Sequence, residues 1–345
     1  MTTVAVDAMG GDAAPAVVVD GAVAAALAAG ETESTGGTLR ILLVGDEAVV
    51  RGHLARHAAA GVDVATLAIE VVHADDAVTM ADSPGAVIKG KPRSSIHIGL
   101  GLHRDGRADA FVSAGNTGAV MAVSLFVLGR AKGVARPTLA GFYPTVKGRC
   151  LLVDVGSNVD CKPEHLVQFA RMGSTYLERA GGVAAPTVGL MNVGEEPGKG
   201  NEQAKEAYEL LACASGITFV GNIEGGDLMM HAADVVVTDG FVGNVMLKLG
   251  ESLTKVLPIL AGQAIARLGM GEAEKTAAAL IFGEIKKPFD YQNFGGAPLL
   301  GVAGSVLIGH GSSSAAAITR MITAGAELAA QGVTAAIAAT IGGRG

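Results

Sequence analysis

Short glycine-rich segments that also carry Asp, Asn, Ser or Glu recur along this 345-residue chain. They are Asp7-Ala8-Met9-Gly10-Gly11-Asp12, Ser113-Ala114-Gly115-Asn116-Thr117-Gly118-Ala119 and Asp154-Val155-Gly156-Ser157-Asn158-Val159-Asp160. Further along come 192–202 with Glu195, Glu196 and Lys199, then 221–227, then Thr238-Asp239-Gly240-Phe241-Val242-Gly243-Asn244. Most stand where a β-branched run gives way to a helical pattern. A helix start offers unpaired N–H groups and the positive end of the peptide dipoles, which suits an anion. Glycine lets a backbone come close to a ligand, and asparagine supplies donors without charge. This chemistry predicts a site for phosphate or another oxyanion.

Other site chemistries are poorly supported. The Walker pattern is missing: Gly194-Glu195-Glu196-Pro197-Gly198-Lys199-Gly200 is one residue short and lacks the Ser/Thr. No G-x-G-x-x-G follows the first strand, and Gly99-Leu100-Gly101 reads as helix packing. There is no G-x-S-x-G elbow. His53 and His57 have zincin-like spacing without the Glu or a third ligand, so they read as a surface helix. Asp154 and Asp160 could hold Mg²⁺, but carboxylates there more simply organise loop backbone and helix caps. No metal or other cofactor is expected.

The elements that position these loops follow from periodicity. Strands are predicted at Thr3–Asp7, Leu39–Val44, Ile69–His73, Ala110–Ser113, Thr138–Phe142, Cys150–Val155, Thr187–Asn192, Thr218–Gly221 and Val235–Thr238. Helices are predicted at Asp12–Ala29, Asp46–Ala60, Lys162–Ala180, Glu202–Ala214 and Ser312–Ala330. The alternation predicts an α/β fold with a largely parallel sheet, whose loops would gather beyond the strand C-termini. From Phe241 to about Glu284 strand signals stop. Apolar residues at helical spacing, with breaks at Pro258 and Gly269–Gly271, predict a helical hairpin projecting from a single 1–345 domain. This 241–290 excursion is read as core, as a dimer contact or as a membrane-facing surface.

Composition narrows the partners. The net charge of −7 disfavours nucleic acid. Three cysteines form no C-x-x-C pair and read as free thiols in a reducing cytosol. The uncharged stretch 110–129 reads as a buried strand, turn and helix rather than a membrane span. The N-terminus lacks a signal-peptide pattern. The 50 glycines exceed average usage roughly twofold.

Taken in order, these segments resemble the bacterial phosphate acyltransferase (PlsX) family. The matching residues are Val4–Asp12 with Pro15, Ser113–Ala119, Leu152–Asp160, Asn192–Glu196 and Lys199–Glu202. Gly221–Gly225, Asp239–Asn244, Phe294–Gly301 and Gly309–Ser313 complete the set. Departures are peripheral: the alanine-rich C-terminal tail and the turn at Pro92 before Ser94 and Ser95.

The resemblance implies transfer of a fatty acyl group from acyl carrier protein to inorganic phosphate. The acyl-phosphate product would feed phospholipid (phosphatidic acid) synthesis. It implies a three-layer α/β/α fold like that of isocitrate and isopropylmalate dehydrogenases and phosphate acetyltransferases. It further implies a cytoplasmic homodimer that touches the membrane peripherally, with a membrane glycerol-3-phosphate acyltransferase as a further partner.

For this chemistry phosphate is expected among Gly10, Gly11, Asn116 and Thr117, with Lys199 supplying charge. Asp7, Ser113, Asp154, Glu196 and Asp239 belong to the same loop set and are read as substrate-binding. Asn158 and Asn244 would donate to an oxyanion or to phosphate, or else cap loops. His310, between Gly309 and Gly311, would donate to the leaving thiolate or to phosphate, or serve structure. An acidic carrier protein needs a local basic patch. Lys89, Lys91 and Arg93 form one cluster, and Arg130, Lys132 and Arg136 another; the plainer reading of both is a solvated turn. The rivals are a decarboxylating NAD-dependent dehydrogenase, an acetyltransferase acting on short acyl-CoA, and a non-catalytic carrier-binding scaffold.

Overall fold

The computed structural model describes residues 1–31, 39–290, 292 and 294–342. The strands are β1 (Thr2–Asp7), β2 (Leu39–Gly45), β3 (Ile69–His73), β4 (Ala110–Ser113), β5 (Thr138–Thr145) and β6 (Gly148–Val153). They continue with β7 (Thr187–Met191), β8 (Thr218–Ile223), β9 (Val235–Val237), β10 (Ala297–Leu300) and β11 (Val306–Ile308). All join one 11-stranded sheet in the order β3-β2-β1-β4-β11-β10-β5-β6-β9-β7-β8. β4 and β9 are buried along their whole length, as continuous apolar runs covered on both faces should be.

The helices are α1 (Ala16–Glu31), α2 (Glu47–Ala59), α3 (Pro84–Gly90), α4 (Ser95–Arg104), α5 (Thr117–Val127) and α6 (Pro163–Arg179). Then follow α7 (Glu202–Ala212), α8 (Gly225–Met230), α9 (Gly240–Arg267), α10 (Glu272–Lys286), α11 (Ala315–Ala330) and α12 (Val333–Gly342). Successive residues of β1 face opposite ways. Val4 and Val6 join Val19 of α1, Phe169 of α6 and Ile322 of α11 in one core. Ala5 joins Leu100 of α4, Val120 of α5 and Leu228 of α8 in the other. The result is three layers around a mostly parallel sheet, as the alternation predicts.

One expectation is corrected. The loops do not gather along a single edge of a uniformly directed sheet. β10 runs against both β11 and β5, and β5 against β6, while the other pairings are parallel. The set β3, β2, β1, β4, β11 therefore points opposite to the set β6, β9, β7, β8. The register explains why a common site still forms. Pro298 pairs with Leu307, Leu299 with Leu139, and Ala140 with Val153. Followed across the seam, this puts the last residues of β6 level with those of β11. The two strand sets meet head to head, and their C-terminal loops face one another.

Other differences are local. The first helix begins at Ala16, not Asp12, because Asp12 donates its N–H to the Gly311 carbonyl at 2.7 Å and is held in a turn. Ser94 caps α4 just after Pro92, where the sequence showed only a turn. Pro258 does not break α9; the chain reverses at Leu268–Gly271, where Gly269 has φ 68°. α10 buries no residue, and in α9 only Gly240, Gly243 and Gly250 are buried. Leu249, Leu260, Leu280 and Ile281 are each more than half exposed. Among the described residues no single helix is long and apolar enough to cross a membrane. The pair Ala315–Ala330 and Val333–Gly342 passes that test jointly but bends by 48°. Ile318, Met321, Ile322 and Ile337 of that pair are buried in the protein core.

Candidate active site

A cleft of about 510 Å³ lies where the opposed strand sets meet. Thr117 and Gly118 of α5 line one wall, together with His310, Ser313 and Ala317 near the start of α11. Gly156, Ser157 and, from α9, Asn244, Lys248 and Glu251 line the other. Leu139, Phe142, Leu247, Phe294 and Met321 give the cleft an apolar side.

Capping residues fix the helix starts around it. Asn116 Oδ1 accepts from the Ala119 N–H at 3.0 Å and opens α5. Ser314 Oγ accepts from the Ala317 N–H at 3.3 Å and opens α11. Asp239 Oδ1 accepts from the Val242 N–H at 2.8 Å and opens α9. Three helix N-terminal segments thus contribute residues to one cleft, a favourable setting for a multiply charged anion.

Behind each wall sits a buried carboxylate. Asp7 ends β1 and accepts from Ser113 Oγ at 2.7 Å and from the Met9 N–H at 3.1 Å. The Ser113 hydroxyl also accepts from the Gly115 N–H at 3.0 Å. Burial pushes the Asp7 carboxyl above the usual carboxylate range, against the opposing pull of these hydrogen bonds. Gly10 is required here: a Cβ would stand 2.4 Å from Asp7 Oδ2 and 2.8 Å from the Gly115 nitrogen.

Asp154 follows β6 and is fully buried. It accepts from the N–H groups of Gly156 (3.1 Å), Ser157 (3.0 Å) and Asn158 (2.7 Å), from Ser157 Oγ and from Asn158 Nδ2 (2.8 Å). It also accepts from the Leu139 N–H at 3.3 Å, which ties the loop to β5. The start of α9 packs on this loop, with Gly240 N–H donating to the Asn158 carbonyl at 2.7 Å. A Cβ on Gly243 would stand 1.8 Å from the Asp154 carbonyl oxygen. Nearby, burial pushes the Cys161 thiol up to about 12, helped by the charges of Asp154 and Asp239, so it is no ready nucleophile.

The sequence-derived residues separate into groups. Thr117, Asn244 and His310 line the cleft. Asp7, Gly10, Ser113, Asp154, Asn158 and Asp239 shape the loops behind it. Gly11 packs against the Gly311 carbonyl, beside His310. Asn116 is committed to protein: besides its cap, Nδ2 donates to the Asp82 carbonyl at 2.9 Å. Asn158 Nδ2 likewise donates to the Pro137 carbonyl at 2.8 Å. Lys199 does not line the cleft; it lies in the loop after β7, 3.9 Å from Glu196, with both side chains more than half exposed.

Lys248 also lines the cleft, 2.8 Å from Glu251. Sequence reasoning missed it, although it follows Asn244 by four residues on the same helix face. Of the basic clusters, Lys91 is bound to Asp82 at 2.6 Å and to the Ala77 carbonyl, and Arg93 pairs with Asp75 at 3.1 Å. The hydrogen bond from Lys91 holds the Asp82 carboxyl down to about 2. Arg130 donates to the Ala135 carbonyl at 2.7 Å. His310 Nδ1 lies 2.8 Å from Ser312 Oγ, and its carbonyl accepts from Ser313 Oγ at 2.6 Å.

Solved structures share this architecture. A phosphotransacetylase from Streptococcus pyogenes aligns with TM-score 0.59 at 17% identity, covering 95% of this chain and 94% of that one. EutD phosphotransacetylase from Staphylococcus aureus aligns with TM-score 0.56 at 15% identity over the same shares. The fold is thus one found in phosphotransacetylases. The Fatty acid synthesis protein family matches residues 2–336. A phosphate acyltransferase from Salinibacter ruber is 50% identical over 334 residues, 97% of this chain and 96% of that protein. Another, from Chlorobaculum parvum, is 46% identical over 349 residues, 99% of each chain. This chain belongs to the Fatty acid synthesis protein family, whose curated relatives here are phosphate acyltransferases.

Proposed function

We propose that the protein transfers a fatty acyl group from acyl carrier protein to inorganic phosphate, giving acyl-phosphate for phospholipid synthesis. The observation that carries this reading is the cleft itself, with the capped starts of α5 and α11 on one wall, that of α9 on the other, and an apolar side formed by Leu139, Phe142, Leu247, Phe294 and Met321. Phosphate sits against the starts of α5 and α11, near Thr117 and His310. The thioester carbonyl faces Asn244 and the Gly156–Ser157 backbone. A phosphate oxygen attacks the carbonyl carbon, and the resulting oxyanion collapses as the carbon–sulfur bond breaks. The electron pair leaves with the sulfur as a thiolate. A thiol with an ordinary pKa of about 8.5 leaves without strong acid assistance. Positioning and electrostatics therefore supply the rate. Lys248 offers positive charge at the cleft, while Lys199 and Glu196 serve from the outer loop.

The test follows free thiol after mixing palmitoyl-carrier protein with and without phosphate. Phosphate-dependent release supports the reading; none refutes it. The phosphotransacetylase fold favours a second reading, a short acyl-CoA donor, so the same assay with acetyl-CoA distinguishes the two.

The exposed apolar residues of α9 and α10 support a homodimer contact and a peripheral membrane contact of a cytoplasmic enzyme. A membrane glycerol-3-phosphate acyltransferase would then receive the product. The clusters at Lys89–Arg93 and Arg130–Arg136 would dock the acidic carrier. Unchanged KM and salt dependence after charge reversal there would remove that role.

A further inference from the structure

Below the hairpin lies a second hollow, of about 170 Å³, that neither the phosphate chemistry nor the carrier needs. Its walls are almost wholly apolar: Met229, Leu253, Leu257, Phe282, Ile285 and Phe289. Helix α9 contributes a stripe of residues to both spaces. Leu247 and Glu251 line the cleft, whereas Thr254 and Pro258 line the hollow. These positions, spaced by four, three and four residues, share a helix face. Thr254 Oγ1 donates to the Glu251 carbonyl at 2.8 Å, on the turn of α9 between the two sets of lining residues. On strand β5, Phe142 lines the cleft, while Tyr143 faces the other side of the sheet, where it packs on Gly250 of α9 and makes an edge contact with Phe289 at 6.5 Å between ring centres.

We propose that this hollow receives the far end of the substrate's acyl chain and so selects its length. The inference rests on the acyl-transfer reading above. Helix rise gives the scale: Leu253 lies about 13 Å and Leu257 about 19 Å beyond Asn244 along α9, at about 1.5 Å per residue. Carbon–carbon bonds of about 1.5 Å at tetrahedral angles advance an extended chain by about 1.25 Å each. With its carbonyl level with Asn244, a chain enters the hollow near its eleventh carbon and reaches Leu257 near its sixteenth. An octanoyl chain ends inside the cleft. A palmitoyl chain buries its last carbons against Leu257, Phe282 and Ile285. Hydrophobic burial of those methylenes discriminates between the two, because each methylene taken out of water favours binding by a fixed increment.

Length profiles of kcat/KM test this with octanoyl-, palmitoyl- and stearoyl-carrier protein and saturating phosphate. Leu257→Trp plugs the hollow. Excluding about four methylenes lowers the palmitoyl-to-octanoyl ratio by about a hundredfold. Phe289→Ala lengthens the hollow and raises the stearoyl-to-palmitoyl ratio severalfold. Ratios equal to wild type in both variants overturn the proposal, including a uniform loss of activity from misfolding of both. If the wild-type enzyme forms acyl-phosphate and only the ratios fail to move, the inference fails and the functional reading stands. If wild type forms none from any chain length, both fall.

Discussion

The loops after β1 and β6 solve one problem in two ways. Each begins with a buried aspartate, and each shapes one wall of the cleft. Asp154 is surrounded by donors, three of them consecutive backbone N–H groups, and works as the hub of its loop. Asp7 has fewer donors, and burial outweighs them, so its carboxyl is raised. A carboxylate satisfied by many donors holds a backbone shape, whereas one whose burial outweighs its donors holds its proton more tightly than an ordinary carboxylate. One wall is thus fixed by a saturated hydrogen-bond hub, and the other is built on a carboxyl whose burial outweighs its donors.

The largest expected effect lies on the Asp154 side. Asp154→Ala leaves several buried donors without a partner, at about 1–3 kcal/mol each, and lowers unfolding free energy in urea by at least about 4 kcal/mol. A loss equal to that of Asp7→Ala would erase the contrast. Gly243→Ala comes next. Its Cβ would meet a backbone oxygen at 1.8 Å, so the α9 start must shift off the loop. Overpacking of this kind costs about 3 kcal/mol, and Gly10→Ala on the other wall should cost less only if Asp7 can move.

Activity offers a third comparison. Asn244→Ala, on the fixed wall, should lower kcat about a hundredfold if its amide meets the oxyanion. Lys199→Ala, outside the cleft, should stay within about threefold; the reverse order would move the chemistry to the β7 loop.

The smallest effect is in pH. The Asp7 carboxyl is raised on folding, so between the ordinary carboxylate pKa and its raised folded value the native state holds more protons than the unfolded one. That contribution is present at acid pH and is lost as pH rises through this window. Asp7→Asn should flatten the fall in stability above about pH 4. Asp82 behaves oppositely: its folded value of about 2 means that its contribution is present above the usual carboxylate pKa and fades as pH falls toward 2. Lys91→Met should shrink that acid-side fade, leaving the part due to the Thr79 hydrogen bonds.

Much of this was legible in sequence because glycine, asparagine and acidic residues mark strand-to-helix turns by backbone rules that act locally. Asp46, Asn116 and Asp239 each sit one residue before a helix and cap it. The hairpin was legible from apolar residues at mostly helical spacing, with the break at Gly269–Gly271 marking where the chain reverses. β10 and β11 were not. With residues Ala297-Pro298-Leu299-Leu300 and Val306-Leu307-Ile308, they are too short for a periodic signal, and a proline sits inside the first. Missing them hid the reversal of strand direction, since β10 is the strand that turns the sheet. Residues such as Lys248 and Phe294 reach the cleft from far along the chain, and their placement depends on that turn. Neutral side chains such as Asn116 and Asn158 were legible as important, but the sequence does not say whether an amide faces a ligand or a carbonyl of its own chain.

The strand order also sets a timetable for biosynthesis. β4 and β5 lie on either side of β10 and β11, so the two half-sheets are bridged by residues 297–308, which leave the ribosome after the other described strands. Until then the emerging chain carries two incomplete sheets, each with an exposed inner edge able to pair with the wrong partner. A stalled or prematurely ended chain would keep both edges open. Synthesis of residues 297–308 thus both completes the cleft and closes the inner edges of the two half-sheets.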